Sequence, residues 1–472
     1  MQLRPEPARI QRVEIVDPVL AARALAHLPY PFLLHSSMRD PRARWSFFGA
    51  DPFAVIAGDD DLEAMQLWRR FSAEVHPPAD GPPFTGGILG YWAYDFGRRL
   101  ERWPSIARDD SGWPAVRLGF YDVVGAFDHE TGRAWLISTG LPLSGAPRRD
   151  RAQRRLETFA RLTTFGRRAA PPRLVGGLEP LPVHSTFTPE TYRAAVEQVR
   201  GLIAAGEIFQ ANLSQRWTVS ITAASPTALA LALGESLASV SPSPYAAWLG
   251  GPDHAVASAS PERFLELRGR RVETRPIKGT RPRAADAAED RRLRSELLAS
   301  AKDRAENVMI VDVLRNDLGR VCETGSVEVA ALCEPESFPQ VHHLTSTVRG
   351  QLREGLDGFD LLHACFPGGS ITGAPKLRAI EILERIEPVR RHLYTGSIGW
   401  MDWSGDADWN IAIRTATVAA TSIRFSAGGG ITSESDPDAE YRETLHKAQG
   451  MVRALRRVVG PVELEATLAL AP

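Results

Sequence analysis

The stretch from Phe209 to Ile221 alternates apolar and polar residues, and this period of two constrains the fold more than any other feature. The apolar set that would share one strand face is Phe209, Ala211, Leu213, Trp217, Val219 and Ile221. The opposite face carries Gln210, Asn212, Ser214 and Arg216. Such alternation predicts a long strand with one buried face. Its polar face is then either exposed to solvent or the lining of a site.

Strand-like and helical segments follow in blocks. Further strands are predicted at 245–249, 393–400, 411–418 and 423–427. Helices are predicted from Thr188-Pro189 to Gly206 and near 286–314, 358–365, 375–386 and 437–457. Because strands and helices do not alternate strictly, the pattern predicts an α+β fold with antiparallel sheets.

Composition suggests a division of the chain. Residues 9–139 alternate short apolar runs with turn signals and predict a mainly β region. From 141 to 184 the sequence is rich in proline, glycine and arginine, which is typical of a solvated connector with a helix at 150–162. We therefore divide the chain into an N-terminal β region (1–140), a linker (141–184), a catalytic domain (185–460) and a C-terminal tail (461–472).

The global properties exclude several function classes. A net charge of -1 over 472 residues gives no general attraction to nucleic acid. The three cysteines, Cys322, Cys333 and Cys365, lack a metal-binding spacing and predict a reducing compartment. No apolar run reaches membrane-spanning length, and the first residues lack the apolar core of a signal peptide. We expect a cytoplasmic protein without membrane contact.

Lys278, at the centre of the basic stretch 273–283, is a candidate nucleophile. Pro276 fixes the backbone before it, and Gly279 removes a side chain that would crowd a ligand. Desolvation or the neighbouring arginines can lower the pKa of this lysine enough for nucleophilic attack. Taken alone, however, a lysine in a turn is more often solvated than catalytic.

Two predicted helices each carry a pair of carboxylates on one face. Asp303 and Glu306 are three residues apart, as are Glu440 and Glu443, and Lys447 continues the face of the second pair. Carboxylates from two helices can clamp a hard cation such as Mg²⁺. Spacing alone favours the alternative, which is pairing with basic side chains on solvated surfaces.

Two glycine-rich stretches could expose backbone N–H groups to an anion. One is 427–431, which could equally be a bend in an edge strand. The other, 366–376, opens a helix, but it is not a phosphate-binding Walker loop because Ala374 follows Gly373. Glu262 and His343 are isolated acid–base candidates that would more often serve as structural hydrogen-bonding residues.

Several long motifs in a fixed order identify a family. They are Ser260-Pro-Glu-Arg-Phe264, Pro276-Ile-Lys-Gly-Thr280, the run from Asp303 to Arg320, the loop 366–376, Gly396-Ser-Ile-Gly399, Ala427-Gly-Gly-Gly-Ile431 and Glu440-Tyr-Arg-Glu443. In this combination the chain resembles the chorismate-utilising enzymes, strongly over roughly 185–458 and more weakly before that. The resemblance implies antiparallel sheets packed as a sandwich core with helices outside, as in anthranilate synthase component I.

Within the family, three positions indicate the branch. Anthranilate synthases resemble this chain but place alanine where Lys278 stands, and they tend to have histidine where Asn307 stands. Isochorismate and salicylate synthases carry a water-activating lysine at the position of Gln210. The resemblance is therefore closest to aminodeoxychorismate synthase component I, which acts in p-aminobenzoate and folate biosynthesis.

The resemblance also implies a role for each site residue. Lys278 would attack carbon 2 of the chorismate ring while Glu262 protonates the departing 4-hydroxyl, and His343 would lie near the ring. Mg²⁺ would be held by Glu306 and Glu443, with Asp303 and Glu440 in support. Substrate would be bound by Tyr394, Arg414, Gly428, Gly429, Gly430, Lys447, Ser370 and Gly396.

Partners follow from the same resemblance. The cysteines lack the context of a glutamine-hydrolysing nucleophile, so ammonia would come from a separate glutamine amidotransferase subunit. A family pocket that can hold tryptophan corresponds to Leu33-Leu-His-Ser36, where His35 replaces a glutamate and argues against tryptophan feedback. The alternatives are anthranilate synthase component I and a non-catalytic subunit that binds tryptophan or an amidotransferase.

Overall fold

The computed structural model describes residues 6–15, 17–38, 43–76, 81–165, 179–338 and 341–464. Its helices are α1 Pro18–Leu25, α2 Leu62–Ser72, α3 Gly97–Leu100, α4 Gly145–Phe165, α5 Pro189–Ala204, α6 Pro226–Val240, α7 Ala287–Ala299, α8 Ala301–Gly319, α9 Gly358–Cys365, α10 Lys376–Ile386 and α11 Pro437–Val459. The strands before α5 are β1 Glu6–Pro7, β2 Arg9–Val13, β3 Phe32–His35, β4 Trp45–Gly49, β5 Ala54–Gly58, β6 Val75–His76, β7 Gly87–Trp92, β8 Val116–Tyr121, β9 Val123–Asp128, β10 Arg133–Ser138 and β11 Leu181–Ser185.

The remaining strands are β12 Gln210–Ser220, β13 Tyr245–Leu249, β14 His254–Ser260, β15 Arg263–Arg268, β16 Arg271–Thr274, β17 Ile277–Pro282, β18 Glu328–Ser337, β19 Val341–Gln351, β20 Gly373–Ala374, β21 Ser397–Asp402, β22 Ala407–Asn410, β23 Thr415–Ala419, β24 Ser422–Ile431 and β25 Val462–Leu464. The long strand predicted from the alternating pattern at 209–221 is β12. No helix of the described residues is long and apolar enough to cross a membrane.

Most of these strands belong to two large sheets. The first runs β2-β10-β9-β4-β3-β13-β14-β23-β24-β12-β11-β25, with β20 also paired to β12. The second runs β17-β19-β16-β15-β22-β21-β7-β8-β5, with β18 also paired to β19. One buried cluster joins Phe47 and Val256 of the first sheet to Tyr91 and Trp400 of the second. The predicted α+β sandwich is therefore confirmed.

Helices cover the outer face of each sheet. Residues of α1, α4, α5, α6 and α11 share a buried cluster with the first sheet. Residues of α2, α8, α9 and α10 share another with the second. Both sheets take strands from both sides of 141–184: β3 pairs with β13 in the first, and β7 with β21 in the second. The interior between the sheets is thus built by the whole chain.

The segment 141–184, expected to be a solvated connector, contains α4, which is longer than the helix predicted at 150–162. Phe159 is fully buried, and Leu156 nearly so. The buried carboxylate of Asp122 accepts hydrogen bonds from Arg151 and Arg155 of this helix, each at 3.1 Å. Residues 166–178 of this segment, and 465–472 of the tail, lie outside the described residues.

Three other predicted boundaries were wrong. The strand predicted at 393–400 begins only at Ser397, after Thr395, whose φ of 62° lies in the left-handed region. The helix predicted at 286–314 is two helices, because Ser300 ends α7 and caps α8 by accepting a hydrogen bond from the N–H of Asp303. The strand predicted at 411–418 begins only at Thr415, because Arg414 has a φ of 51°, in the left-handed region that breaks strand geometry.

We predict that α4 is an integral part of the core. Phe159→Ala should lower the free energy of unfolding by about 3–5 kcal/mol, because it deletes a fully buried aromatic ring. Arg154→Ala, at an exposed position of the same helix, should change it by less than about 0.5 kcal/mol. Chemical denaturation of both variants measures this. Equal small effects would show that α4 is detached from the core.

Candidate active site

Lys278 lies on β17, which pairs with β19 in the second sheet. The register shifts between Lys278 and Thr280, where Gly279 has a φ of 75°. A Cβ at Gly279 would lie 2.8 Å from Cδ1 of Leu297 and 3.0 Å from the side chain of Asp303. The glycine was predicted to make room for a ligand, but the groups it accommodates are those of α7 and α8.

The amine of Lys278 has a defined partner. Its Nζ donates a hydrogen bond of 2.9 Å to the main-chain oxygen of Ser370, in a 3₁₀ turn formed by Gly369–Ile371. Burial lowers the pKa of Lys278, and the carboxylates of Glu306 and Glu262 oppose this effect.

The arginines around Lys278 are engaged by acids. Arg275 pairs with Glu336, Arg281 with Asp303 and Glu296, and Arg283 with Asp290. Desolvation is the largest cause that lowers the pKa of Lys278, and the positive charge of Lys447, rather than that of the arginines, adds to it.

Glu262 lies beside this lysine, just after β14. Its N–H donates to Oγ of Ser260, and Ser260 in turn donates to the main-chain oxygen of Ile411 at 2.6 Å. Burial raises the pKa of Glu262, opposed by a hydrogen bond from the Ser370 side chain and by the charge of Lys278. Ser370 therefore contacts the amine through its carbonyl and the acid through its side chain. The site combines a carboxyl group biased toward its protonated form with an amine biased toward its neutral form.

His343 is buried on β19. Its Nδ1 lies 2.9 Å from Oγ1 of Thr280. Burial, with the positive charge of Arg414, lowers the pKa of His343 to about 4. Arg414 itself takes part in none of the ion pairs of the described residues, and burial lowers its pKa. A neutral imidazole and an arginine free of acidic partners suit an uncharged ring and an anionic substituent, respectively.

Tyr394 and Gly396 follow a buried ion pair. Arg391 donates to the carboxylate of Glu387 at 2.7 and 2.8 Å, and its guanidinium carbon lies 5.9 Å from the Tyr394 ring centre. Burial raises the pKa of the Tyr394 phenol. At Gly396 a Cβ would overlap the main-chain oxygen of Trp92, so close packing on β7 accounts for this glycine.

Gly428, Gly429 and Gly430 lie inside β24, opposite Ser214, Leu213 and Asn212 of β12. β23 pairs with β24 only at Ile423, Arg424 and Phe425, so among the described strands the three glycines have β12 as their one partner, and the edge-strand alternative stays open. A Cβ at Gly429 would lie 2.9 Å from Oε2 of Glu440 and 3.4 Å from Oε1 of Glu443. The glycine thus lets the carboxylates of α11 approach the sheet.

The four predicted metal ligands project from α8 and α11. Glu443 lies 2.6 Å from Nζ of Lys447, which also donates to the main-chain oxygen of Gly428. Glu440 accepts a hydrogen bond of 2.6 Å from Ser435. Burial raises the pKa of Glu306, as do the charges of Asp303 and Glu443, so the two helices present their carboxylates to one another.

The donor set fits a hard cation, since all four ligands are carboxylates. Within the described ranges, however, no group of three or more histidine, cysteine, aspartate or glutamate side chains is gathered closely enough to hold a metal ion. Asp303 and Glu443 each lie within ion-pair distance of a basic side chain instead, at 3.2 Å from Arg281 and 2.6 Å from Lys447.

The sequence interpretation missed several supporting residues. One is Arg391, which binds the main-chain oxygens of Ile371 and Asn212 at 3.0 and 2.5 Å and so holds the turn containing Ser370 against β12. Another is Lys302, whose ammonium lies 3.7 Å from Glu440. The sequence alone could have drawn attention to Lys302, because only four of the 56 lysine and arginine residues of the chain are lysines.

The pocket predicted near Leu33-Leu-His-Ser36 is a cavity of about 760 Å³ between the sheets. Aromatic lining is supplied by Trp45, Phe47, Tyr245 and Trp400. His35 shares a hydrogen bond of 3.0 Å with Ser46, and burial lowers its pKa to about 4. A neutral imidazole offers no negative charge to an α-ammonium group, whereas the glutamate of the family pattern does. A ligand in this cavity stays a prediction.

The fold is a sandwich of two large sheets, and its candidate site brings a carboxyl group and an amine together. A family model described as chorismate binding enzyme matches residues 30–453. The chain belongs to this family of chorismate-binding enzymes.

Relatives with two different names resemble the chain to a similar degree. Aminodeoxychorismate synthase component 1 of Bacillus subtilis is 37% identical over 431 residues, covering 87% of this chain and 89% of that protein. Anthranilate synthase component 1 of Streptomyces coelicolor is 40% identical over 460 residues, covering 93% and 87%. The crystal structure of anthranilate synthase component I from Streptococcus pneumoniae superposes with a TM-score of 0.73 at 31% identity, covering 88% and 93%.

We predict that the His343 imidazole is neutral at pH 7. Its pKa of about 4 lies below the ordinary 6.5, so the folded protein binds fewer protons than the unfolded chain between these values. The free energy of unfolding should therefore fall as pH falls from 6.5 toward 4. An NMR titration, with the signal assigned from His343→Gln, measures the midpoint. A midpoint near 6.5 would contradict the buried placement.

Proposed function

We propose that the protein is the chorismate-aminating component of aminodeoxychorismate synthase, which converts chorismate and ammonia to 4-amino-4-deoxychorismate for p-aminobenzoate and folate biosynthesis. The observation that carries this proposal is the contact set of Lys278, Ser370 and Glu262. A nucleophilic amine must be neutral, and an acid that assists a hydroxide leaving group must be protonated. Burial biases both groups in the required direction.

The proposed reaction consists of two displacements. The lone pair of the Lys278 nitrogen forms a bond to ring carbon 2, the two conjugated ring double bonds shift, and the bond from carbon 4 to its hydroxyl breaks. Glu262 supplies the proton with which that hydroxyl leaves as water. Ammonia then bonds to carbon 4, the two double bonds shift back, and the Lys278 amine is released. Nitrogen thus replaces oxygen at carbon 4, without oxidation or reduction.

Other residues bind and orient chorismate. Arg414 and Lys447 supply positive charge for its carboxylates, with Tyr394, Ser370, Gly396 and the backbone of Gly428, Gly429 and Gly430 around them. His343 presents an uncharged ring to the substrate. Glu306 and Glu443, supported by Asp303 and Glu440, are the proposed ligands of Mg²⁺, which when bound supplies positive charge that neutralises a substrate carboxylate.

The ammonia source is proposed to be a separate glutamine amidotransferase subunit. A glutamine-hydrolysing cysteine needs an accessible thiolate with a lowered pKa. All three cysteines of this chain are buried, and burial raises the pKa of each thiol. The free cysteines also support the proposed cytoplasmic location.

The identity of the product tests the proposed reaction. With chorismate, Mg²⁺ and ammonium at high pH, mass spectrometry should find aminodeoxychorismate, and Lys278→Ala should lower the rate roughly a hundredfold or more. Arg283→Ala removes a basic side chain that pairs with Asp290, and it should keep the parent rate. Anthranilate and pyruvate from the parent would instead assign the protein to the anthranilate branch. No chorismate turnover, even with an amidotransferase added, would support the binding-subunit alternative.

The pH dependence of the rate tests the roles of Lys278 and Glu262. Chorismate consumption in a single turnover without ammonium should follow a bell-shaped profile. The rate falls at low pH as Lys278 takes up a proton, and at high pH as Glu262 loses one. Glu262→Gln should cost about 10²–10⁴-fold and abolish the alkaline limb, because the amide has no such proton. A parent profile without an alkaline limb would exclude Glu262 as the acid.

A further inference from the structure

Asn307 is a buried polar residue to which the proposed reaction gives no role. It lies on α8 and is fully buried. Its Nδ2 donates a hydrogen bond of 3.2 Å to the main-chain oxygen of Leu344, and its Oδ1 accepts one from the hydroxyl of Ser346. Both partners belong to β19. This amide therefore joins α8 to one short segment of the second sheet.

That segment lies opposite the candidate nucleophile. In the pairing of β17 with β19, Lys278 is the partner of Leu344, whose carbonyl Asn307 binds. The N–H of Ser346 donates to the main-chain oxygen of Pro276 at 3.2 Å, two residues before Lys278. Asn307 thus contacts β19 at the two residues that face the backbone around Lys278.

The strand that carries Lys278 has little other support from its sheet. Among the described strands β17 pairs only with β19, and this pairing shifts register directly after Lys278, where Gly279 has a φ of 75°. On its other side β19 pairs with β18, whose ladder is irregular around Cys333. The hydroxyl of Ser346 accepts a hydrogen bond of 2.9 Å from the N–H of Cys333. One side chain of α8 therefore connects all three strands at the level of the nucleophile.

An amide at this position serves geometry more than stability. A buried amide needs hydrogen bonds to offset the cost of leaving water, whereas a leucine with as many side-chain heavy atoms does not. Hydrophobic contacts are non-directional and set no register between a helix and a strand. A buried polar network whose groups are satisfied does fix one arrangement of the elements that it joins.

We propose that Asn307 is a positioning residue for Lys278. By fixing β19 against α8 at the residue that pairs with Lys278, it holds the amine on the main-chain oxygen of Ser370 and beside Glu262. A displacement of about 1 Å can lower a reaction rate roughly a hundredfold, so a nucleophile on an irregular strand must be held rigidly. The inference rests on the proposed covalent role of Lys278.

The test is the rate at which the lysine adduct forms. With chorismate and Mg²⁺ but no ammonium, mass spectrometry of the intact protein should detect the chain plus chorismate minus water, because the amine bonds to carbon 2 and the hydroxyl leaves as water. Asn307→Leu removes both hydrogen bonds and should slow adduct formation roughly ten- to a hundredfold. Thr85→Val also removes a buried side-chain hydrogen bond, of 2.8 Å to Asp402, and should keep the parent rate.

Chorismate binding separates positioning of the lysine from a general structural role. Damage to the whole site would weaken binding whether or not the lysine is present. The affinity for chorismate, measured by tryptophan fluorescence, should therefore agree within about threefold between Lys278→Ala and the double variant with Asn307→Leu. Ser346→Ala removes only the hydroxyl partner of Asn307 and should slow adduct formation by a smaller factor, roughly three- to tenfold.

Adduct formation at the parent rate in both Asn307→Leu and Ser346→Ala would overturn the inference. So would a loss of chorismate affinity of roughly tenfold or more when Asn307→Leu is added to Lys278→Ala, since Asn307 would then support the site as a whole. Absence of an adduct in the parent would overturn the proposed covalent reaction and this inference together, whereas an adduct in the parent that Asn307→Leu leaves unchanged would overturn the inference alone.

Discussion

The withdrawal of one buried carboxyl group and one half-buried amine from water is the constraint on which the rest of this site depends. In water, Lys278 would be charged and Glu262 ionised, which is the wrong state of each for the proposed reaction. Burial disfavours both charges and brings the neutral pair within reach. Glu262 follows a strand of the first sheet and Lys278 lies on a strand of the second. The interior of the sandwich therefore supplies the low-dielectric environment that neither sheet provides alone.

A buried pair must also be held in position, and two further ion pairs do this for the glycine-rich loop 366–376. Arg391 and Glu387 tie the turn containing Ser370 to β12, where Glu387 also accepts hydrogen bonds from the N–H and hydroxyl of Ser214. Lys376 and Asp317 join the far end of the loop to α8. Buried charges are expensive to desolvate, so pairs of this kind contribute geometry more than stability. Ser370 of this loop bridges acid and amine.

Local patterns predicted several of the elements. The alternation at 209–221 became β12, the proline-led start at Thr188 became the cap of α5, and the helix predicted near 437–457 is α11. The break between α7 and α8 at Ser300 was not predicted, because the apolar residues on either side continue a helical pattern across it. The burial of α4 was not predicted, because its many arginines are typical of a solvated surface. Arg151 and Arg155 instead bind the buried Asp122, which is distant in sequence. Contacts of Lys302 and Arg391 likewise depend on tertiary proximity that no local pattern carries.

Overall similarity does not distinguish the two branches of the family for this chain. Relatives named aminodeoxychorismate synthase and anthranilate synthase share 37% and 40% of its residues over comparable lengths. The scaffold, the carboxylates of α8 and α11 and the acid Glu262 belong to the site whichever nucleophile acts. The proposed reaction depends on position 278, where the lysine side chain donates to Ser370 at 2.9 Å. In that proposal, alanine there would leave space for ammonia beside ring carbon 2, whereas a lysine fills that space with its own amine. The proposed branch therefore rests on the chemistry of one side chain.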